Sequence, residues 1–281
     1  MDALALLRLQ IEWGADEALE DAPVDRLRAD AGQEAAASRR LPHPLRQGAG
    51  GSGEAVPVGS ALPPTSTSAP SSPTIALATP AVRAASIAGQ ARSLEQLRAA
   101  LAAFDGCALR DTAANLVFAA GDPNASLLLI GDPPADAEDR SGAPFAGPDG
   151  ALLDRMLGSI GLSRDSLLLT PLIPWRPPGG RPPNAGEIAL CLPFLQRLVV
   201  LTAPSRLVIA GALAARTLLG PPRRRAAPAW TEIPVPGLAA PVPALVMPGP
   251  AMVARTPGAR REAWAALRLL RRTLDADLAG N

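Results

Sequence analysis

Four short apolar runs, Leu127–Ile130, Leu167–Thr170, Arg206–Ala210 and Ala244–Met247, recur between helix-like stretches, and this alternation limits the folds open to the chain more than any other feature. Runs this short, with no regular polar position, suit strands buried on both faces. The stretches between them, Gly150–Ile160, Glu187–Leu201 and Ala212–Leu219, are long enough for helices, and Arg260–Leu274 closes the series. Buried strands alternating with helices predict a three-layer α/β/α sandwich around a central, mostly parallel four-stranded sheet. Ligands of such sheets bind beyond the carboxyl ends of the strands. A site is therefore sought in the loops that begin at Gly131, Pro171, Gly211 and Pro248.

Ahead of this region the composition changes twice. Residues 1–33 read as an acidic amphipathic helix, with Leu4, Leu6, Leu7, Ile11 and Leu19 as its apolar positions and eight Asp/Glu against three Arg in the first 30 residues. Two roles are open for it: docking on its own globular domain, or capturing a protein partner from a tether. Residues 34–91 are rich in Ala, Pro, Ser, Gly and Thr, as in "LPPTSTSAPSSPT". Such a segment buries too little apolar surface to offset its ordering entropy, which predicts a disordered linker. The globular domain is then expected over residues 92–281, opening on a helix capped by Ser93.

Among 281 residues the formal net charge is only +1, so charge alone names no partner. Lysine and tyrosine are absent, and 27 arginines carry all the fixed positive charge. The two cysteines, Cys107 and Cys191, form no disulfide framework or C-x-x-C pair; two buried thiols in a reducing cytoplasm are expected. No run of about 18 uncharged apolar residues predicts a membrane span. A cytoplasmic monomer is the expectation.

Four segments resemble the uracil-DNA glycosylase superfamily, in particular its family 4 type. They are "GDPPADAEDRSGAPFAGPDGALLDRML", "LLLTPLIPWRPPGGRPPNAGEIALCLPFL", "RLVIAGALAARTLLG" and "GPAMVARTPGARREAW", in register over residues 104–272. The resemblance implies an enzyme that extrudes uracil from DNA into a pocket and cleaves its glycosidic bond. In such a site an aromatic ring stacks on the base and an asparagine reads the uracil edge. A histidine stabilises the charge that grows on the leaving base, and an acidic residue serves the sugar or the water.

Carried over residue by residue, Phe145 takes the stacking position, and Gly131 and Pro134 belong to the base-binding loop. Asp132 stands where the family usually has a glutamate. Asp136, Glu138 and Asp139 read as a solvated, helix-capping stretch. The asparagine position holds Pro171, which has neither a side-chain donor nor a backbone N–H. The histidine position falls on Gly249, or on Met247 with a two-residue shift, and the only histidine of the chain is His43. One such donor contributes about 10² to 10³ in rate, so the resemblance implies strongly reduced or absent uracil excision. The alternative is an active glycosylase that works on uracil or another damaged base through Asp132 and Phe145.

Family 4 also implies a four-iron, four-sulfur cluster on four cysteines. Cys107 and Cys191 match two ligands; Phe104 and Trp175 stand at the other two. Two thiolates are too few for a cubane cluster, so no iron–sulfur cofactor is expected and the rings are read as an apolar plug. For DNA, Arg176, Arg181 and Arg255 are candidate phosphate contacts and Met252 with Val253 a candidate wedge, although surface arginines and core packing are equally open readings. From residue 104 onward 18 Arg face 15 Asp/Glu, which predicts only weak DNA binding. Arg223, Arg224 and Arg225 read as a solvated loop or a phosphate contact.

Overall fold

The computed structural model describes residues 79–221 and 227–280. The acidic N-terminal segment, the linker up to residue 78 and Arg223–Arg225 lie outside the described residues. The four apolar runs become the parallel strands β2 (Leu127–Gly131), β3 (Leu168–Pro171), β4 (Arg206–Ala210) and β6 (Val242–Met247). Two strands that the sequence reading missed flank them: β1 (Ala120–Gly121) and β5 (Trp230–Ile233). Both pair antiparallel, with β3 and β6 respectively, so the sheet has six strands in the order β1-β3-β2-β4-β6-β5. A two-residue strand and one that begins directly after a Pro/Ala-rich segment carry too little apolar pattern to announce themselves.

Strand alternation divides the core in two. Leu128, Ile130, Leu168, Leu207, Ile209 and Ala244 face one layer. It is built from α1 (Pro80–Gln90), α2 (Leu94–Ala103), α3 (Leu109–Thr112), α6 (Ala185–Thr202) and α7 (Ala212–Leu219). Leu127, Leu129, Leu169, Val208, Ala210, Leu245 and Met247 face the other, against α5 (Gly147–Gly158), α8 (Pro250–Arg255) and α9 (Pro257–Gly280). A short helix, α4 (Asp136–Ser141), rides on the loop after β2. The three-layer sandwich is thus present, with two more strands than expected.

Helix α2 begins as expected, with the Ser93 hydroxyl accepting the Gln96 N–H at 3.2 Å. The linker boundary at residue 91 is corrected: residues 80–90 form α1, which packs along α6. Pro80 sits in the first turn, where its missing N–H costs nothing. Ala84 and Ala88 are buried, and small residues let two helices approach closely. Arg197 of α6 donates two hydrogen bonds to the Ala91 carbonyl, at 2.9 and 2.6 Å, and ties down the end of α1. Alanine is as common in disordered linkers as in such contacts, which is why composition alone hid the helix. Helix α6 has the length and apolarity of a membrane span, yet it carries Glu187 and Arg197 and buries Cys191, Phe194, Leu195, Leu198 and Val199 in the core.

A carboxylate at Ala84, which is 0% exposed, would have no partner against α6. Ala84→Asp is expected to destabilise the protein by roughly 2–4 kcal/mol, lowering Tm by ~4–12 °C in a thermal melt. An unchanged Tm would mean that the domain begins after residue 91.

Candidate active site

The carboxyl ends of the parallel strands deliver Asp132, Pro171, Gly211 and Gly249 to one edge of the sheet. A cavity of about 410 Å³ opens there, with Asp132, Pro133, Glu138, Phe145, Gly249 and Met252 among its lining residues. Pro171 ends β3 opposite Gly131 and borders a small void that Thr170, Cys191 and Phe194 also line, in the layer opposite Phe145. It is buried there and does not reach the cavity wall. Gly131 lies under the Phe145 ring: a Cβ at 131 would come within 2.4 Å of the ring's Cζ, so only glycine allows the ring to sit so low. Pro134 is buried behind the loop, and Pro133 takes the place on the wall. Met247 is buried within β6, which leaves Gly249 as the position that faces the cavity.

Phe145 is held in a conformation that a bulky residue rarely adopts, with φ 53°. Its N–H donates to Glu138 Oε1 at 2.6 Å, and its carbonyl accepts from Arg164 Nη2 at 2.7 Å. Arg164 also donates to the Pro144 carbonyl at 3.1 Å and pairs with Asp154. A carboxylate on one side of the residue and a guanidinium on the other offset the backbone strain. This clamp was not legible in the sequence. Glu138 was expected in a solvated stretch, but burial pushes its carboxyl pKa up while the Ala135 and Phe145 amides pull it down. Asp139, expected in the same stretch, is also buried; its Oδ1 accepts the Ala114 N–H at 2.9 Å and the Asn115 N–H at 3.3 Å. Only Asp136 remains exposed, paired with Arg140 at 2.7 Å.

Asp132 reaches across to the first turn of α7, where its Oδ1 accepts the Ala214 N–H at 2.9 Å. A Cβ at Gly211 would lie 2.3 Å from that carboxyl, so glycine is required for the approach. Burial lifts the Asp132 carboxyl above its ordinary range, and the amides of Ala214, Leu213 and Ala212 hold it down in part. The carboxylate is therefore both a helix cap and a cavity wall.

The candidate DNA contacts divide. Arg181 is bound bidentately by Glu187, at 2.9 and 2.5 Å, and Arg176 faces Asp136 at 3.5 Å with its buried Nε unpartnered among the described residues. Both charges are thus largely spent within the protein. Arg255 and Met252 line the cavity from α8, where Arg255 is exposed and Met252 is 49% exposed; Val253 is buried in the core.

Cys107 and Cys191 meet in the opposite layer of the core. Both are free, buried thiols, and burial raises the Cys191 pKa beside its neighbour Cys107. Phe104 and Trp175, each 2% exposed, belong to the same cluster, and Phe104 lies 5.3 Å from the Phe194 ring. With two sulfurs and two aromatic rings these residues do not fit a four-thiolate cluster.

A cavity at the strand ends, floored by a clamped aromatic ring, stands where α/β/α domains bind their ligands. The family model described as the uracil DNA glycosylase superfamily matches residues 118–268, more than half of the chain, and the chain belongs to that family. Similar proteins include the type-4 uracil-DNA glycosylases of Pyrobaculum aerophilum, 32% identical over 47% of this chain and 68% of the relative, and of Sulfurisphaera tokodaii, 35% identical over 42% and 54%. The type-4 uracil-DNA glycosylase of Archaeoglobus fulgidus is 36% identical over 39% of this chain and 55% of the relative. The chain thus spans little more than half the length of two of these relatives.

The raised pKa of Asp132 fixes the sign of a pH effect. A carboxyl lifted by burial penalises the folded state when ionised; the penalty is complete above the folded pKa and gone below the ordinary value of 3.8. Asp132→Asn is expected to raise Tm at pH 8 relative to the wild type, and the gain is expected to shrink to nothing as the pH falls through the folded pKa. Melts of both proteins across pH 3.5–8 check this; a gain that grows toward low pH would contradict it.

Proposed function

We propose that this chain accommodates an extrahelical nucleobase over Phe145 and excises uracil far more slowly than its relatives, or not at all. The carrying observation is a formed cavity whose wall at Gly249 offers no side-chain donor. Pro171 is buried beside Gly131, and Gly249 lines the wall with only hydrogen as a side chain. Uracil leaves as an anion, so a site without donors aimed at its oxygens gives up much of its transition-state stabilisation. A base-excision role within DNA repair then rests on binding or on a different base. Arg255 and Met252 are the DNA contacts we favour, because both are exposed beside the cavity mouth while Arg176 and Arg181 are paired internally. Binding is expected to be weak and salt-sensitive, as one or two phosphate contacts give a shallow salt dependence. The remainder of this reading is a cytoplasmic monomer whose acidic residues 1–33 capture a protein partner.

A second reading, an active glycosylase, draws on the intact Asp132 and Phe145 in the cavity wall.

Restoring a donor tests the first reading. The Gly249 backbone, at φ −67° and ψ 154°, suits any L-residue, and an added Cβ meets only the Ala210 carbonyl oxygen, at 3.2 Å. The Gly249→His variant is expected to excise uracil from single-stranded DNA at least ~10²-fold faster than the wild type. Efficient excision by the wild type, unimproved in the variant, would overturn it. Independently, 2-aminopurine in DNA is expected to brighten on binding wild type as it leaves the base stack, and Phe145→Ala is expected to abolish the increase.

A further inference from the structure

Asp132, Glu138, Asp149, Arg255 and Thr256 are the polar side chains that line the cavity. Three of the five are carboxylates, and the one cation, Arg255, is exposed at the end of α8. Asp132 and Glu138 already accept backbone N–H groups. Asp149, half-buried in the first turn of α5, accepts no hydrogen bond and forms no ion pair among the described residues. The cavity thus offers acceptors and negative charge above an aromatic ring.

Uracil suits such a wall poorly. Its edge presents two carbonyl oxygens for one N–H, and it departs carrying negative charge. A base with a fixed positive charge reverses both demands. Its ring is attracted to the face of Phe145 and to the carboxylates, and it departs neutral, so no donor is needed to stabilise it.

We propose that this cavity takes N-alkylated purines whose ring bears a fixed positive charge, and releases them from DNA by hydrolysis. The proposal rests on the nucleobase-pocket reading above and names its substrate class. The bond between the base nitrogen and C1′ breaks with its electron pair passing to the base, which cancels the ring charge. The sugar carbon, left cationic, takes the oxygen of a water molecule. Asp149 accepts the proton that the water loses and passes it to solvent, leaving the free neutral base and an abasic site. Asp132 and Glu138 supply the field that holds the cation. Both have carboxyl pKa values raised by burial, and an entering cation relieves that penalty. The missing donor at Gly249 is then a feature of a site suited to another leaving group.

The test uses the full-length protein and oligonucleotides that carry a single 7-methylguanine, hypoxanthine or uracil. Free base is measured by mass spectrometry against spontaneous loss in buffer. Release of 7-methylguanine is expected at least ~10²-fold above the spontaneous rate, as oriented acid–base groups commonly give, and faster than release of either neutral base. Asp149→Asn is expected to lower it by roughly tenfold or more with Tm unchanged, and Asp149→Glu to recover part of the loss. Hypoxanthine or uracil released as fast as 7-methylguanine would overturn the proposal, as would 7-methylguanine loss no faster than in buffer. If that failure comes with a Phe145-dependent rise in 2-aminopurine fluorescence, the substrate class is wrong and the pocket reading stands. If the rise is absent as well, both fall.

Discussion

The burial of both faces of β2, β3, β4 and β6 is the constraint from which the rest of this molecule follows. These strands bring almost nothing but leucine, isoleucine, valine and alanine to the sheet, so each face needs a helical cover. The helices that cover them force the parallel connections, and parallel connections align all four carboxyl ends along one edge. The loops that leave this edge carry Asp132, Gly211 and Gly249, which is why residues up to 117 positions apart in the chain share one cavity or its border. At the outer edges Trp230 reinforces the arrangement, with its indole N–H donating to Thr273 at 3.0 Å and the Arg206 guanidinium 5.7 Å from its ring.

Within that frame the cavity is built by close approach. Phe145 settles onto Gly131, and Asp132 onto Gly211, because neither glycine has a Cβ to keep them off. Arg164 and Glu138 then hold the Phe145 peptide from both sides. A ring fixed in this way is a surface for stacking, with little conformational entropy left to lose when a flat ligand arrives. The charge on the surrounding wall determines what kind of flat ligand gains most. Three carboxyl groups and one exposed guanidinium line that wall, and the proposal of a cationic base rests on them.

The opposite layer is closed by sulfur and aromatic side chains. Cys107 and Cys191 remain in contact, while Phe104 and Trp175 add aromatic volume to the same cluster. Close packing tolerates few voids, and rings of this size fill what smaller residues would leave open.

By itself the sequence determined the identity and order of the four central strands, the main helices after them, and the residues missing from the polar inventory, because buried strands and absent side chains are properties of composition along the chain. Pro171 has no N–H and Gly249 has no side-chain donor, in any fold. Tertiary structure decided the rest. It turned an alanine-rich stretch, Pro80–Gln90, into a helix, since only the groove along α6 makes burying those alanines worthwhile. It spent Arg176 and Arg181 on Asp136 and Glu187, and left Arg255 exposed. It also converted Glu138 from a surface acid into one arm of the Phe145 clamp. Local pattern carries no signal for these outcomes, because each depends on a partner brought close by the fold and not by the spacing of residues in the chain.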